Sequence, residues 1–335
     1  MMNAMNRQRT RKSNIELLRI ILMCFIVFYH LLAFYVVPYV NSPVYKALYM
    51  PLHVAVVCFV LISGYFHITP SIRGFLKLLL PLLFYYLLPL LILYFHGDDM
   101  GGVKYLLPIS NSPYWFIRTY LYLYLISPLL NKYLAESPPT CLLISLGFIS
   151  IYMSLSDDSL HDGKNLVFFM FLYVLGDWIR HKKALFDKIN CWGVFGVYVI
   201  LNMALVVLYI KGNHVVKNVV WGMSFQYCRP VLIFNAVTLF LIFNRMSIKS
   251  SFINTIGAST FAIYIIHLHP IVSSRILFPI MRQVVNLSCS LWEILTGTFL
   301  FTFAIVLISI VIDQLCKPFF MFIASCCCKI EAKHN

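Results

Sequence analysis

Charged side chains are scarce in this sequence. Asp, Glu, Lys and Arg make up 11% of the 335 residues, whereas roughly 25% is typical of a soluble globular domain. Hydrophobic residues make up 61%, and the mean hydropathy is +0.84. This composition excludes a soluble globular protein and indicates a polytopic protein embedded in a lipid bilayer.

Acidic residues are scarcer than basic ones, with 12 against 26 and a net charge of +14. Such an excess can indicate nucleic-acid binding. Here, however, Lys and Arg cluster at the ends of apolar runs, and no basic patch is interleaved with exposed polar sequence. The positive-inside rule of membrane topology explains this distribution better. We therefore expect no nucleic-acid partner.

Patterns for disulfides and metal sites are also lacking. The chain has ten cysteines but no CxxC pair, and most cysteines fall in or beside apolar runs or in the triplet Cys326–Cys328. Cysteines in such positions usually serve as small hydrophobic side chains. We expect neither a disulfide framework nor a metal site.

The N-terminus lacks the marks of a secretory signal. Its basic residues lead into an apolar run longer than a signal's apolar region, and no small-residue cleavage site follows. Instead, Ser13-Asn14-Ile15-Glu16 predicts a helix start, with Ser13 or Asn14 as the N-cap and Glu16 near the positive end of the helix dipole. No long polar segment is left for a further domain. We expect one transmembrane domain over 1–335, with a basic cytosolic N-terminus at 1–13 and a cytosolic tail at 317–335.

Long apolar runs are abundant, and each approaches the roughly 20 residues that a helix needs to cross a bilayer. Their lengths predict an all-α protein of about ten transmembrane helices. The runs lie at about 15–37, 49–67, 77–95, 114–134, 140–155, 165–180, 191–210, 219–243, 252–273 and 290–315.

The basic residues fall on alternate sides of these runs, which predicts that both termini face the cytosol. The loops on the opposite side are poorer in basic residues and carry Asp98, Asp99, Asp157, Asp158 and Asp162. The cytosolic segments would hold Arg7, Arg9, Arg11, Lys12, Arg73, Lys77, Arg180, Lys182, Lys183, Lys188, Arg245, Lys249, Lys317, Lys329 and Lys333.

Arg19 and His30 lie inside the first apolar run. Eleven residues of helix bring them back to within about 20° of one face, with about 16 Å of helix axis between them. Charged and titratable groups inside a span cost ~2.5–3.5 kcal/mol on insertion scales, so they usually mark a functional site. Arg19 could instead be a flank residue whose side chain snorkels to the interface. Glu16, three residues earlier, could be a capping acid at the helix start or an ion-pair partner of Arg19.

Further polar residues would lie at the level of His30. His53 begins the second run, and His267 and His269 end the ninth, so these regions could converge. Because His267 and His269 differ by about 200° around a helix, at most one faces a given site. Tyr264 shares the face of His267. For each of these residues, a structural role is the alternative to a role in the reaction.

Arg118 and Arg229 also fall inside apolar runs. Pro230 would free a backbone carbonyl beside Arg229. Either arginine would line an acceptor groove or pair with lipid headgroups. For Arg118, which lies close to Trp115 near the outer interface, snorkelling beside an aromatic belt is the alternative interpretation. Arg229 and Trp115 are candidate supporting or acceptor-binding residues.

Four motifs occur in order along nearly the whole chain. They are Arg19, ten residues and His30; Ser63-Gly64-Tyr65; Tyr114-Trp115-Phe116 with Tyr120, Tyr124 and Ser127-Pro128-Leu129-Leu130-Asn131; and Ile256-Gly257 to Tyr264-Ile265-Ile266-His267. Together they resemble the acyltransferase-3 family of integral membrane acyltransferases, which has an Arg, ten residues, His pattern and a Ser-Gly-Tyr/Phe motif.

The resemblance implies transfer of an acyl group, usually acetyl, from cytosolic acyl-coenzyme A to a hydroxyl of a surface polysaccharide or lipid-linked glycan, in the bacterial cytoplasmic membrane. Arg73 and Lys77 stand where the family has two arginines before Pro81, and they would bind the anionic coenzyme A. Spaced i, i+4, they share one side of a helix. Flanking cations that only set topology have the same appearance.

His30 would act as a general base on the acceptor hydroxyl, since its ordinary pKa suits proton transfer at neutral pH. An acyl-histidine intermediate is the other mechanism. No embedded acid is clearly placed to orient His30. A glycan or succinyl exporter and a non-catalytic partner in a polysaccharide assembly complex are alternative functions, although we find no internal repeat of the kind transporters show.

Overall fold

The structure, a computed structural model, describes residues 11–40, 42–97, 108, 112–155, 162–287 and 290–334. Within this part of the chain the elements are helical and no strand occurs. The loop acids Asp98, Asp99, Asp157 and Asp158 and the basic Arg7 and Arg9 lie outside the described residues. The helices are α1 (Ser13–Leu31), α2 (Pro43–Tyr49), α3 (Val54–Phe66), α4 (Ile72–Phe95), α5 (Trp115–Glu136), α6 (Pro139–Leu155), α7 (Leu166–His181), α8 (Lys183–Phe186), α9 (Cys191–Lys211), α10 (His214–Phe225), α11 (Pro230–Arg245), α12 (Ser251–Gly257), α13 (Thr260–His267), α14 (Pro270–Val272), α15 (Phe278–Leu287) and α16 (Leu291–His334).

Five helical segments are long and apolar enough to cross a membrane. A sixth is possible if 251–267 and 270–287, which meet at an angle of 67°, are taken as one broken span. Two shorter apolar helices lie at 139–153 and 230–245. The membrane character is therefore confirmed, while ten spans and the cytosolic placement of both termini stay predictions. The five segments are Ser13–Val36, Pro43–Phe66, Ile72–Phe95, Cys191–Lys211 and Leu291–Ile323.

The first helix begins at Ser13 as predicted, but its predicted cap is wrong. Neither Ser13 nor Asn14 caps α1, because Lys12 occupies the N-cap position without a side-chain bond. The Ser13 hydroxyl exchanges hydrogen bonds with the backbone of Ser250, and the Asn14 side-chain amide donates to the Phe243 carbonyl at 2.8 Å. Asn14 thus ties α1 to the last turn of α11, and Ser13 ties it to the residue that caps α12.

The predicted eighth and ninth runs are each interrupted. A turn at 226–229 separates α10 from α11, so Arg229 is the N-cap of α11 and not a residue deep in a continuous helix. Pro230 is the cause, because it lacks an N–H and disfavours a helical conformation in the preceding residue. The ninth run breaks after Gly257 and again after His267, before Pro270.

Close packing of α3 against α7 forms the centre of the bundle. A Cβ on Gly64 would lie 2.1 Å from the Tyr173 carbonyl oxygen, and one on Gly176 would lie 2.4 Å from that of Leu61. Small residues at such crossings let two membrane helices approach backbone to backbone. Beside this pair, α1 packs against α3, α12, α13 and α16. The face of α1 that carries Arg19 and His30 is therefore turned into the protein.

Candidate active site

His30 meets His267 across the interface of α1 and α13. The His30 Nδ1 atom lies 3.0 Å from the His267 Nε2 atom, although the two residues are 237 positions apart. A five-residue π-helix, Leu32–Val36, continues α1 directly beyond His30. Such π-helical segments often accompany functional sites. The regions of His30 and His267, two of the three that were predicted to converge, thus lie together in the structure. The third, at His53, lines the same cavities as His30.

The hydrogen bonds around this pair assign its tautomers. The His267 Nδ1 atom lies 2.6 Å from the Ile263 carbonyl oxygen, which can only accept, so Nδ1 carries the proton. In a neutral His267, Nε2 is then an acceptor, and His30 donates to it from Nδ1. The proton of neutral His30 is thereby fixed on Nδ1, and its Nε2 atom keeps a lone pair.

The neighbouring histidine of this segment has a different role. The His269 Nε2 atom donates to the Tyr86 carbonyl at 2.9 Å, and its Nδ1 atom accepts from the Ile271 backbone at 3.2 Å. Only His267 of the two faces His30, as their spacing predicts. Tyr264 packs beside His267 with ring centroids 6.3 Å apart, and its hydroxyl donates to the Pro113 carbonyl at 3.3 Å.

Two cavities adjoin His30. The first, which we call the basic cavity, has a volume of about 480 Å³ and is lined by the cations Arg11, Arg19, Arg73, Lys77 and Lys317. The second cavity has a volume of about 590 Å³, and its lining includes Phe34, Tyr35, Asp162, Lys164, Trp221, Gln226 and His267.

Several residues line both cavities, and we call them the shared wall. They come from α1, the turn before α3, the start of α5, the turn before α11 and the end of α13. The wall consists mainly of aromatic and imidazole rings, and the rings of Tyr29 and His53 lie 4.4 Å apart. The members of the shared wall are Tyr29, His30, His53, Pro113, Trp115, Tyr227 and Leu268.

An ion-pair cluster lies at the start of α1. The Glu16 carboxylate accepts from Arg19 at 3.0 Å and lies 3.5 Å from Arg11, and it is almost completely buried. Gly257 makes room for this carboxylate, because a Cβ there would lie 2.5 Å from Glu16 Oε2. The predicted pairing of Glu16 with Arg19 is therefore present in the structure. It holds the Arg19 guanidinium, which is about one-third exposed, beside the basic cavity.

The remaining predicted residues divide between the cavities and their surroundings. Arg73 and Lys77 both line the basic cavity, and Trp115 belongs to the shared wall. Among the described residues that line the two cavities, neither Arg118 nor Arg229 occurs. Arg229 instead contacts Gln226 of the second cavity, at 2.5 Å between Nε and Oε1.

Sequence reasoning missed part of the lining. Arg11 and Lys317 were assigned to topology alone, yet they complete the cation cluster of the basic cavity. Asp313, which accepts from the Tyr85 hydroxyl at 2.9 Å, lies among these cations. Asp313 and Lys317 are one helical turn apart on α16, and this i, i+4 spacing was the available signal.

Comparison with known proteins gives one family. A family model described as an acyltransferase domain matches residues 12–314, which is most of the chain and includes Arg19, His30, Arg73, Lys77 and His267 but not Arg11 or Lys317. No curated protein and no solved structure matches the chain.

Proposed function

Because the chain belongs to the acyltransferase-3 family of membrane proteins, we propose that it is an O-acyltransferase. It moves an acyl group, in the first instance acetyl, from acyl-coenzyme A to a hydroxyl of a surface polysaccharide or lipid-linked glycan. The observation that carries the proposal is the location of His30 in a wall shared by two cavities, one of them rich in cations. A donor and an acceptor that enter from different cavities would meet at this imidazole.

The donor fits the basic cavity. Coenzyme A carries its phosphates at one end of a long flexible arm and its thioester at the other. Arg73, Lys77 and Lys317 supply cations for the phosphates, and Arg19 lies about 16 Å of helix axis from His30. The arm would span this distance and bring the thioester carbonyl to the shared wall. On this proposal, the basic cavity opens to the cytosol.

The acceptor fits the second cavity. Its lining combines aromatic rings with a carboxylate, an ammonium and an amide, from Asp162, Lys164 and Gln226. Pyranose rings pack their C–H faces against aromatic rings and bond their hydroxyls to such polar groups. Because Trp115 belongs to the shared wall, its ring would contact the sugar that reacts. The Lys164 ammonium lies 5.7 Å from the centroid of this ring.

His30 acts as the general base. Its Nε2 lone pair takes the proton of the acceptor hydroxyl while the hydroxyl oxygen attacks the thioester carbonyl carbon. The carbon–sulfur bond then breaks, and the leaving thiolate receives the proton from Nε2. Throughout, the Nδ1–H group of His30 donates to His267, which holds the productive tautomer and stabilises the imidazolium. His267 thus takes the orienting part that carboxylates take in other hydrolases and transferases.

Mass spectrometry of surface glycans tests the reaction, in cells with the gene, without it, and with a His30→Ala copy. We expect the acetyl mass increment in the first and its loss in the other two. Purified protein should also transfer labelled acetyl from acetyl-coenzyme A to the isolated glycan. Unmodified glycan that accumulates inside cells lacking the gene would instead indicate an exporter, and would contradict the proposal.

A further inference from the structure

A short linker joins α3 to α4 immediately before the two cations of the basic cavity. It comprises residues 67–71, which are extended or irregular, and α4 begins at Ile72. Arg73 and Lys77 therefore lie within the first two turns of α4, and the course of the linker determines where these cations project. Its backbone is held by side chains of α5 and α7.

Three residues close a ring of hydrogen bonds around the middle of the linker. The Ile68 N–H donates to the Tyr173 hydroxyl at 2.9 Å, and that hydroxyl donates to the Asn131 amide oxygen at 2.7 Å. The Asn131 amide nitrogen in turn donates to the Ile68 carbonyl at 2.8 Å. Both backbone polar groups of Ile68 are thereby satisfied, and neither Asn131 nor Tyr173 belongs to the reaction centre.

A second contact fixes the end of the linker. The Tyr124 hydroxyl accepts from the Ser71 N–H and donates to the Ser71 carbonyl, each at 3.0 Å. The Ser71 hydroxyl caps α4 by accepting from the Gly74 N–H, also at 3.0 Å. A Cβ on Gly74 would lie 2.7 Å from the same Tyr124 hydroxyl, so the first turn of α4 sits directly against α5.

The start of the linker is held as well. His67 adopts a φ of 58°, a conformation that few residues other than glycine adopt. Its Nε2 atom lies 2.7 Å from the carboxylate of Asp177, which is fully buried and also accepts from Arg180 at 2.6 Å. Such a conformation persists where the surroundings over-determine it. The linker is thus fixed at its beginning, middle and end.

We propose that Tyr124, Asn131 and Tyr173 are positioning residues for the acyl donor. They hold the linker, the linker fixes the first turns of α4, and α4 presents Arg73 and Lys77 to the phosphate end of acyl-coenzyme A. The inference rests on the proposed function. It also assigns a role to Tyr124 and Asn131, which have none in the proposed reaction itself.

The experiment compares two donors. Acetyl-coenzyme A carries the phosphates, whereas S-acetylpantetheine has the same thioester and arm end without them. In Tyr124→Phe and Asn131→Ala we expect KM for acetyl-coenzyme A to rise about tenfold, while kcat stays within about twofold. Tyr124→Phe removes both hydrogen bonds to the Ser71 backbone, and Asn131→Ala removes the partner of the carbonyl of buried Ile68. KM for S-acetylpantetheine should not change. A merely structural role would affect both donors alike.

Two controls make the comparison specific. Asn202→Ala removes a buried amide pair, with Asn235, between α9 and α11, away from the linker, and should show no preference between the donors. In an Arg73→Ala/Lys77→Ala background, Tyr124→Phe should add nothing further, because its effect acts through those cations.

Equal increases of KM for both donors, or an unchanged KM for acetyl-coenzyme A in folded Tyr124→Phe, would overturn the inference. The proposed function fails separately, if the wild-type protein transfers no acetyl group. In that case the affinity of the same variants for coenzyme A, measured by calorimetry, still decides the positioning role: weakened affinity supports it, and wild-type affinity refutes it.

Discussion

Replacing His267 by alanine removes the acceptor for the Nδ1–H group of His30, which lies 3.0 Å away. The hydrogen bond becomes charge-assisted when His30 takes up the acceptor's proton, and bonds of that kind contribute ~1.5–3 kcal/mol. Because 1.36 kcal/mol corresponds to a tenfold change in rate, we expect kcat to fall about 10- to 150-fold. The KM for acetyl-coenzyme A should change little, since His267 does not line the basic cavity.

A second effect of His267→Ala also lowers kcat. Without an acceptor at Nδ1, neutral His30 divides its proton between both nitrogens, and the tautomer protonated on Nε2 cannot act as the base. His267→Gln, which restores an acceptor oxygen on a side chain of similar length, should recover part of the lost rate.

The assay measures the initial rate of coenzyme A release at saturating donor and glycan, with protein that elutes as a single species. His269→Gln is the matched control. It perturbs a buried histidine two residues away that bonds to Tyr86 and not to His30, so its kcat should stay near that of the wild type. A wild-type kcat in His267→Ala, or an equal loss in His269→Gln, would refute the tautomer argument.

Three further predictions concern the base, the donor site and the topology. His30→Ala should lower acyl transfer by about 10²–10⁴-fold while the protein still inserts and accumulates, as immunoblots of membranes would show; near wild-type transfer by the inserted variant would exclude His30 as the base. Arg73→Ala combined with Lys77→Ala should weaken acetyl-coenzyme A binding in calorimetry more than it alters KM for the glycan, and unchanged donor affinity would reduce the pair to topology signals. In a variant without native cysteines, a single cysteine near Asp158 should react with an impermeant reagent outside intact spheroplasts and one near Lys183 should not, whereas reversed labelling would contradict a cytosolic donor.

Hydropathy alone predicts the positions of most helices, because a lipid-facing segment has to be apolar along its length. It does not predict where an apolar segment breaks inside the protein. Pro230 and Pro270 mark two of these breaks in the sequence, but no proline marks the break between Gly257 and Thr260. The close approach of Glu16 to Gly257 beside this break is visible only in the tertiary structure.

The candidate site, too, could be predicted only in part from the sequence. Arg19 and His30 can be read from the sequence, because an embedded charge or imidazole is costly and one helix sets their spacing. The orienting role that we propose for His267 was not predicted, since a search for an acid overlooks a histidine whose acceptor nitrogen is specified by the Ile263 carbonyl. The ring of Ile68, Asn131 and Tyr173 depends on how the linker at 67–71 meets α5 and α7, which no local pattern encodes.

The shared wall also has a consequence for how the acyl group would cross the membrane. On the proposed function, the nucleotide stays in one compartment and the sugar in the other, and only the small acyl unit passes the rings of Tyr29, His53 and Trp115. The breaking of the thioester then supplies the driving force for a vectorial step, so no ion gradient has to be coupled to it. A carrier of the whole substrate would need a large rocking motion of its helices, whereas acyl transfer would not. The close packing of α3 against α7 at Gly64 and Gly176 is compatible with acyl transfer for this reason.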